Sequence, residues 1–298
     1  ARETWAFFET FVGAEDHWLP PDNYQEYRAA ALAHRTSPTN MGLALLANLT
    51  AHDFGYIPAG QLLERTAQSL ETMAGLERHR GHFYNWYDTL SLRPLHPAYI
   101  STVDSGNLAG HLLTLRPGLM ALLDRPILET RWLAGLIDTL GILEEAASET
   151  DPASLAKFRK ELESVYNARP ATLTAARALL ERLTRSAEAV AAEPGDEPGS
   201  QAAWWAGTLA RQCAALREEL VFLAPWSGLA EAHGGIGNLP ELENIPTLRA
   251  LAGLEVALSS RLAGHPELAA TRDLVGQASG RAQARIADIR AMREDIKL

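Results

Sequence analysis

The residues best suited to chemistry fall in three short polar and aromatic segments. The densest is Gly81-His82-Phe83-Tyr84-Asn85-Trp86-Tyr87-Asp88, where aromatic rings alternate with imidazole, amide and carboxylate groups. Aromatic faces beside Asn and Asp suit a pyranose ring, whose C–H faces are apolar and whose rim is polar. An aromatic plug closing one end of a helical layer would use the same residues, and spacing alone leaves both readings open. The second segment is Ser101-Thr102-Val103-Asp104-Ser105-Gly106-Asn107. Asp104 or Ser105 is placed to cap a helix, while Gly106 and Gly110 allow close approach of another helix or a ligand. The third is His34-Arg35-Thr36-Ser37-Pro38-Thr39-Asn40, where Ser37 reads as a helix cap followed by proline at the first helical position.

Glycoside chemistry uses two carboxyl groups, one protonated to assist the leaving oxygen and one acting as nucleophile or base. Asp88 and Asp104 are the internal candidates, although nothing in the spacing makes them face each other. His79-x-x-His82 lacks a third ligand at suitable spacing, so no metal site is expected. Gly234-Gly235-Ile236-Gly237 follows no strand pattern and reads as a turn rather than a phosphate loop. No G-x-S-x-G motif occurs, and the single cysteine, Cys213, lies in an apolar-periodic helix, where a buried structural thiol is expected.

The elements that must position these groups read as helices almost throughout. Residues 37–54 form a helix whose stretch Met41–Ala51 carries no charge, and burial nearly all round is expected. A surface helix with one apolar stripe follows at 58–80. After the aromatic loop 81–103, Ser105–Leu115 again lacks formal charge and is expected to be buried in the same way. Pro126 is expected to open a helix with Trp132, Leu133, Leu136, Ile137 and Leu140 on its apolar side. Buried helices alternating with half-exposed ones suggest two concentric layers, as in an (α/α) toroid, with a bundle or solenoid as the alternatives. In a toroid, loops 12–36 and 81–104 enter inner helices from one end, so Trp18, Tyr24, Arg35, Trp86, Asp88 and Asp104 would share a cleft.

Beyond about 141 the character changes to charged amphipathic helices at 151–167 and 170–192. The run Glu193–Ser200 reads as an exposed tip, and 201–224 as a return helix antiparallel to its predecessor. A Gly- and Pro-rich loop at 225–245, helices at 246–263 and a long propping helix at 266–298 complete the chain. The expected division is 1–140 and 141–298.

Of the 298 residues, 47% are hydrophobic and 21% charged, the balance of a folded globular chain. A net charge of −10 argues against nucleic-acid binding and is compatible with a neutral substrate such as carbohydrate. No run approaches the roughly 20 apolar residues of a membrane helix. Glu3, Glu9, Glu15 and Asp16 are wrong for a signal peptide. Trp5, Phe7, Phe8 and Phe11 stand in helical spacing from the first residues, as in a piece of a longer protein.

The stretches Trp5–Trp18, Leu19–Tyr27, His34–Gly42, Gly81–Asp88 and Ser101–His111 together resemble the cyclic β-1,2-glucan synthases. Weaker echoes follow at Leu223–Trp226 and Ile245–Leu248. The resemblance covers about residues 2–116 and points to the start of the domain that closes linear β-1,2-glucan into rings. It implies an all-α fold comprising part of an (α/α)₆ toroid with a long helical-hairpin insertion. It also implies retaining transglycosylation by a carboxylate nucleophile and a carboxylic acid. The motifs expected to carry those two glutamates are absent from these 298 residues, so no catalytic residue is assigned here. A substrate-binding wall is expected instead, built from Arg35, Asn40, Tyr84, Asn85, Trp86, Asp88, Asp104, Ser105 and Asn107. The implied partners are β-1,2-glucan and the rest of a multidomain synthase, at the cytoplasmic face of a bacterial inner membrane, with no cofactor. A half-toroid would leave apolar flanks uncovered, so self-association through the open side is expected. The alternatives are a non-catalytic carbohydrate-binding or scaffold module, and a complete small hydrolase using Asp88 and Asp104.

Overall fold

A computed structural model describes residues 1–27, 31–147, 153–167, 169–192, 199–229, 239–263 and 268–296. The fold is all-α, with two small two-stranded sheets among the described residues. The chain divides into two compact units. One comprises Ala1–Asp53, Gly60–Ala121 and Asp288–Leu298, the other Phe54–Ala59 and Leu122–Ala287.

In the first unit, α1 (Arg2–Phe11) is followed by β1 (Arg35–Thr36), α2 (Pro38–Asp53) and α3 (Ala59–Gly75). Three short strands, β2 (Arg78–His79), β3 (His82–Phe83) and β4 (Tyr87–Asp88), precede α4 (Thr102–Ala121). The centre is the pair α2 and α4, with Met41, Leu45, Leu49, Leu108, Leu115 and Leu119 buried along them. Thr39 meets Asp104 near both N-termini, Gly42 faces His111, and Leu49 faces Gly118, so the two helices run parallel. Close approach requires Gly42, because a Cβ there would run into the His111 ring.

Burial of α2 follows expectation except at Leu43 and Thr50, which face solvent. The expectation fails for Ser105–Leu115, where only Leu108 and Leu115 are buried. Val103, Gly106, Asn107, Gly110, Leu113, Thr114 and Pro117 form an exposed face of α4. Lack of charge identified a helix but not its buried side, because Gly, Asn and Thr are as compatible with solvent as with a close neighbour.

The helix expected at 58–80 stops at Gly75. Beyond it β2 and β3 form a hairpin whose central residues, Arg80 and Gly81, both have positive φ (52° and 87°), the geometry of a tight two-residue turn. His79 and His82 are therefore cross-strand partners, both exposed. Among the described residues no group of three or more His, Cys, Asp or Glu side chains could hold a metal ion.

In the second unit, α5 (Arg131–Ala146), α6 (Ala153–Asn167), α7 (Leu173–Ala192) and α8 (Gln201–Leu223) supply most of the core. They are followed by α9 (Pro240–Glu243), α10 (Leu248–Ala252), α11 (Leu254–Ala263) and α12 (Ala269–Asp295), whose last residues belong to the first unit. Pro126 does not open α5. It lies in extended chain bridged to Thr247, and Ile127 N–H donates to Pro246 O, which keeps this segment out of a helix. Trp132, Leu133, Leu136 and Leu140 are buried as expected, whereas Ile137 is exposed. Buried Gln212 ties α8 to its surroundings by accepting from Thr139 Oγ1 (2.7 Å) and donating to Gly55 O (3.0 Å). Gly55 has φ 77°, and a side chain there would strike the Arg131 carbonyl.

α7 and α8 pack along each other as the two arms expected of a hairpin. Ser200 caps α8 by accepting from Ala203 N–H, while the tip at 193–198 and the Gly234–Gly237 run lie outside the described residues. Cys213 is buried in α8, and burial pushes its thiol pKa up, away from thiolate chemistry. No helix among the described residues is long and apolar enough to cross a membrane.

Candidate functional site

The loops entering α2 and α4 are bound to each other. β1 pairs antiparallel with β4, setting Arg35 opposite Asp88 and Thr36 opposite Tyr87. Below this ribbon, buried Asp16 accepts from His34 Nδ1 (2.8 Å) and, through a short hydrogen bond, from Thr89 Oγ1. Thr89 N–H donates to His34 O, and His17 Nδ1 lies 2.9 Å from Thr89 O. His17 and Trp18 both have positive φ, and their carbonyls are held by Thr72 and Ser69 of α3. A side-chain oxygen from each of two helical turns thus fixes a backbone shape that β-carbons disfavour.

On this support a polar network spans the N-terminal ends of α2 and α4. Arg35 donates through Nε and Nη2 to Asp22 Oδ2 (3.2 and 2.9 Å), and its guanidinium lies 4.9 Å from the centre of the Trp86 ring. Asn40 Nδ2 donates to the other oxygen of Asp22 at 3.3 Å. With its amide turned to satisfy its neighbours, Asn85 donates to Asp104 Oδ2 at 2.8 Å. In that orientation it accepts from Trp86 Nε1 at 2.6 Å and from the Tyr99 hydroxyl at 2.9 Å. Asp104 Oδ1 accepts from Thr39 Oγ1 at 2.6 Å, and Asn107 Nδ2 donates to that same hydroxyl oxygen at 3.1 Å. Arg35, Asn40, Asn85, Trp86, Asp104 and Asn107 are thereby brought together.

Three other candidates have local partners. Tyr84 donates its N–H to the Tyr87 hydroxyl (2.8 Å) and sets its ring against Tyr87. Ser105 donates back to Ser101 O, and the α4 cap is Ser101, whose Oγ accepts from Asp104 N–H at 3.1 Å. Neither Asp104 nor Ser105 is the cap, because α4 begins earlier than its uncharged run suggests. Asp88 closes the turn after β4 by accepting from Leu90 N–H, Ser91 N–H and Ser91 Oγ. Of the aromatics expected to share the cleft, Tyr24 stacks on Phe11 (4.9 Å between centroids) and Trp18 lies under the Arg65 guanidinium.

Both candidate carboxyls are held below the ordinary carboxylate value. For Asp88 the main cause is the N–H and hydroxyl of Ser91. For Asp104 the largest single influence is partial burial, which opposes ionisation. Hydrogen bonds from Ser101, Thr39 and Ser37 together outweigh it. Its place in the first turn of α4 adds the favourable helix dipole. A general acid needs the opposite shift, so the environment of neither residue suits a proton donor at neutral pH. The arrangement suits recognition of a neutral polyhydroxyl ligand, with an ionised acceptor, amide donors and aromatic faces close together.

Asp22, Thr39 and Tyr99 belong to this network and were not singled out from sequence. Asp22 lies in the Leu19–Tyr27 motif and Thr39 in His34–Gly42, so a closer reading of polar residues inside those motifs would have included them. Tyr99 had no such signal, because it falls between motifs.

The fold is all-α, with a polar, aromatic-edged network at the shared end of two parallel helices. Over 150 residues, half of its length, the chain is 44% identical to the cyclic β-(1,2)-glucan synthase NdvB of Rhizobium meliloti. The matched stretch takes in 5% of that relative, so the chain corresponds to a small part of a much larger protein. The resemblance read from the motifs is thus supported by an extended alignment. No family model matches the chain.

Proposed function

We propose that this chain contributes a glucan-binding wall to a cyclic β-1,2-glucan synthase, in the part that closes linear chains into rings by retaining transglycosylation. The observation that carries this is the continuous network from Asp22 and Arg35 through Trp86, Asn85 and Asp104 to Thr39 and Asn107. It joins residues from the motifs that resemble those synthases. The parallel run of α2 and α4 supports reading them as inner helices of an (α/α) toroid, with the region after 141 as a helical-hairpin insertion. The catalytic pair belongs to another part of the synthase, a large protein at the cytoplasmic face of the bacterial inner membrane.

Calorimetric titration with linear β-1,2-glucan oligosaccharides tests this reading. Binding is expected, weakened by Asp104→Asn, with no cleavage or cyclisation by the isolated chain. Turnover abolished by Asp104→Asn would establish the complete small hydrolase instead. A folded chain that binds no glucan would leave the scaffold reading. The exposed uncharged face of α4 favours self-association through that side, and sedimentation showing only monomer at high concentration would remove this part.

A further inference from the structure

We infer that Tyr99, rather than Trp86, is the aromatic platform on which a pyranose ring of the ligand rests, with Asn85 as the residue that positions it. The inference deepens the glucan-binding reading and rests on it. Two of the three aromatic rings around the network are already engaged. Trp86 has the Arg35 guanidinium over its ring and donates its indole N–H to Asn85, while Tyr84 sets its edge against Tyr87. Trp86 therefore backs Arg35.

Tyr99 is 50% exposed although its polar tip is satisfied. Its carbonyl accepts from Asn85 N–H at 2.8 Å, and its hydroxyl donates to the Asn85 amide oxygen at 2.9 Å. Backbone carbonyl and hydroxyl are thus both held by a residue only 6% exposed, while Tyr99 itself stays half open to solvent. A side chain fixed in this way loses little rotamer freedom when a ligand settles on it. The same Asn85 donates to Asp104 Oδ2, so one buried amide sets the distance between ring and carboxylate.

Asp104 is itself held in place by Thr39 and Asn85, with Ser101 and Ser37 adding to its hydrogen bonds, so the carboxylate is a fixed ionised group at the edge of the ring. In the first turns of α4, Val103 is 69% exposed, and a Cβ at Gly106 would meet nothing within 4 Å. An apolar face beside an ionised acceptor is the pairing a pyranose offers in complement.

The test is titration of the unmodified chain and of Tyr99→Ala, Tyr99→Phe and Tyr99→Trp with a linear β-1,2-glucan oligosaccharide. Tyr99→Ala should bind about ten-fold more weakly or worse, the scale of one lost aromatic contact. Tyr99→Phe, which keeps the face and loses one tether, and Tyr99→Trp should stay within about three-fold of the unmodified chain. Should Tyr99→Ala unfold, the Phe and Trp variants still decide, since loss of binding in both while folded would overturn the assignment. Undiminished binding by a folded Tyr99→Ala would overturn this inference and leave the glucan-binding reading standing. Absence of binding by the unmodified chain would end that reading and this inference with it.

Discussion

Replacing Arg65 by methionine should cost the first unit about 3 kcal/mol, mostly through the acceptors it strands. Arg65 projects from α3 and donates to Asn48 Oδ1 (3.1 Å), Phe8 O (2.8 Å) and Val12 O (3.0 Å), with its guanidinium 5.1 and 5.5 Å from the Trp5 and Trp18 rings. Phe8 O keeps a partner after the substitution, because Val12 N–H also donates to it. Val12 O and Asn48 Oδ1 lose the donors described here, at about 1–3 kcal/mol for each buried group left unsatisfied. Two cation–π contacts are lost as well, worth about 0.5–1 kcal/mol each at partly exposed sites. Against this, burial disfavours the charged guanidinium, the main cause lowering its pKa, and methionine removes that cost while keeping much of the volume. Arg65→Lys should recover less than half of the loss, because an ammonium cannot match the planar fork that reaches three acceptors at once. Urea unfolding followed by tryptophan fluorescence and by far-ultraviolet circular dichroism would measure both variants. A methionine variant within about 0.5 kcal/mol of the unmodified chain would refute the accounting, since it lies at the level of an ordinary surface substitution.

Gly42→Ala should destabilise by about 1–3 kcal/mol by forcing α2 off the His111 ring, with most of the loss recovered in a His111→Ala background. A double-mutant cycle in urea with no coupling between the two sites would show that the helices do not meet there. Asp104 should make stability depend on acid. Its folded pKa lies below the ordinary 3.8, so its contribution is complete above that value and is lost as pH falls through the lower folded value. Unfolding free energy of the unmodified chain should therefore drop more steeply below about pH 4 than that of Asp104→Asn, and equal slopes would count against the hydrogen bonds assigned to this carboxylate.

The helices were legible where polarity and punctuation agreed. Ser37-Pro38 marked the start of α2, and Ser37 Oγ does accept from Asn40 N–H there. The uncharged run after Asp104 located α4 but hid its true first turn, whose cap at Ser101 lies outside that run. The 78–83 hairpin was missed because apolar spacing continues past the end of α3 to Leu76, and a two-residue Arg80-Gly81 turn is a weaker signal than Asn-Gly. Segment composition pointed to residues that the fold brings together, since Arg35, Trp86, Asn85 and Asp104 do meet. The roles within it depend on which way each side chain turns. Asp88 turns to its own loop and Tyr99 to Asn85, and neither direction follows from spacing.

The tie between the two entry loops bears on how such a surface can be altered. Asp16 on one loop holds Thr89 on the other, Thr89 N–H holds His34 O, and β1 is one edge of a ribbon whose second edge is β4. Residues 12–36 and 81–104 therefore form one unit of exchange. A graft of either loop alone from a relative would bring half of a ribbon and half of a hydrogen-bond set, whereas the pair moved together carries its own register. Drift in either loop should likewise be answered in the other, so diversity at this end of the protein is expected to come in matched pairs.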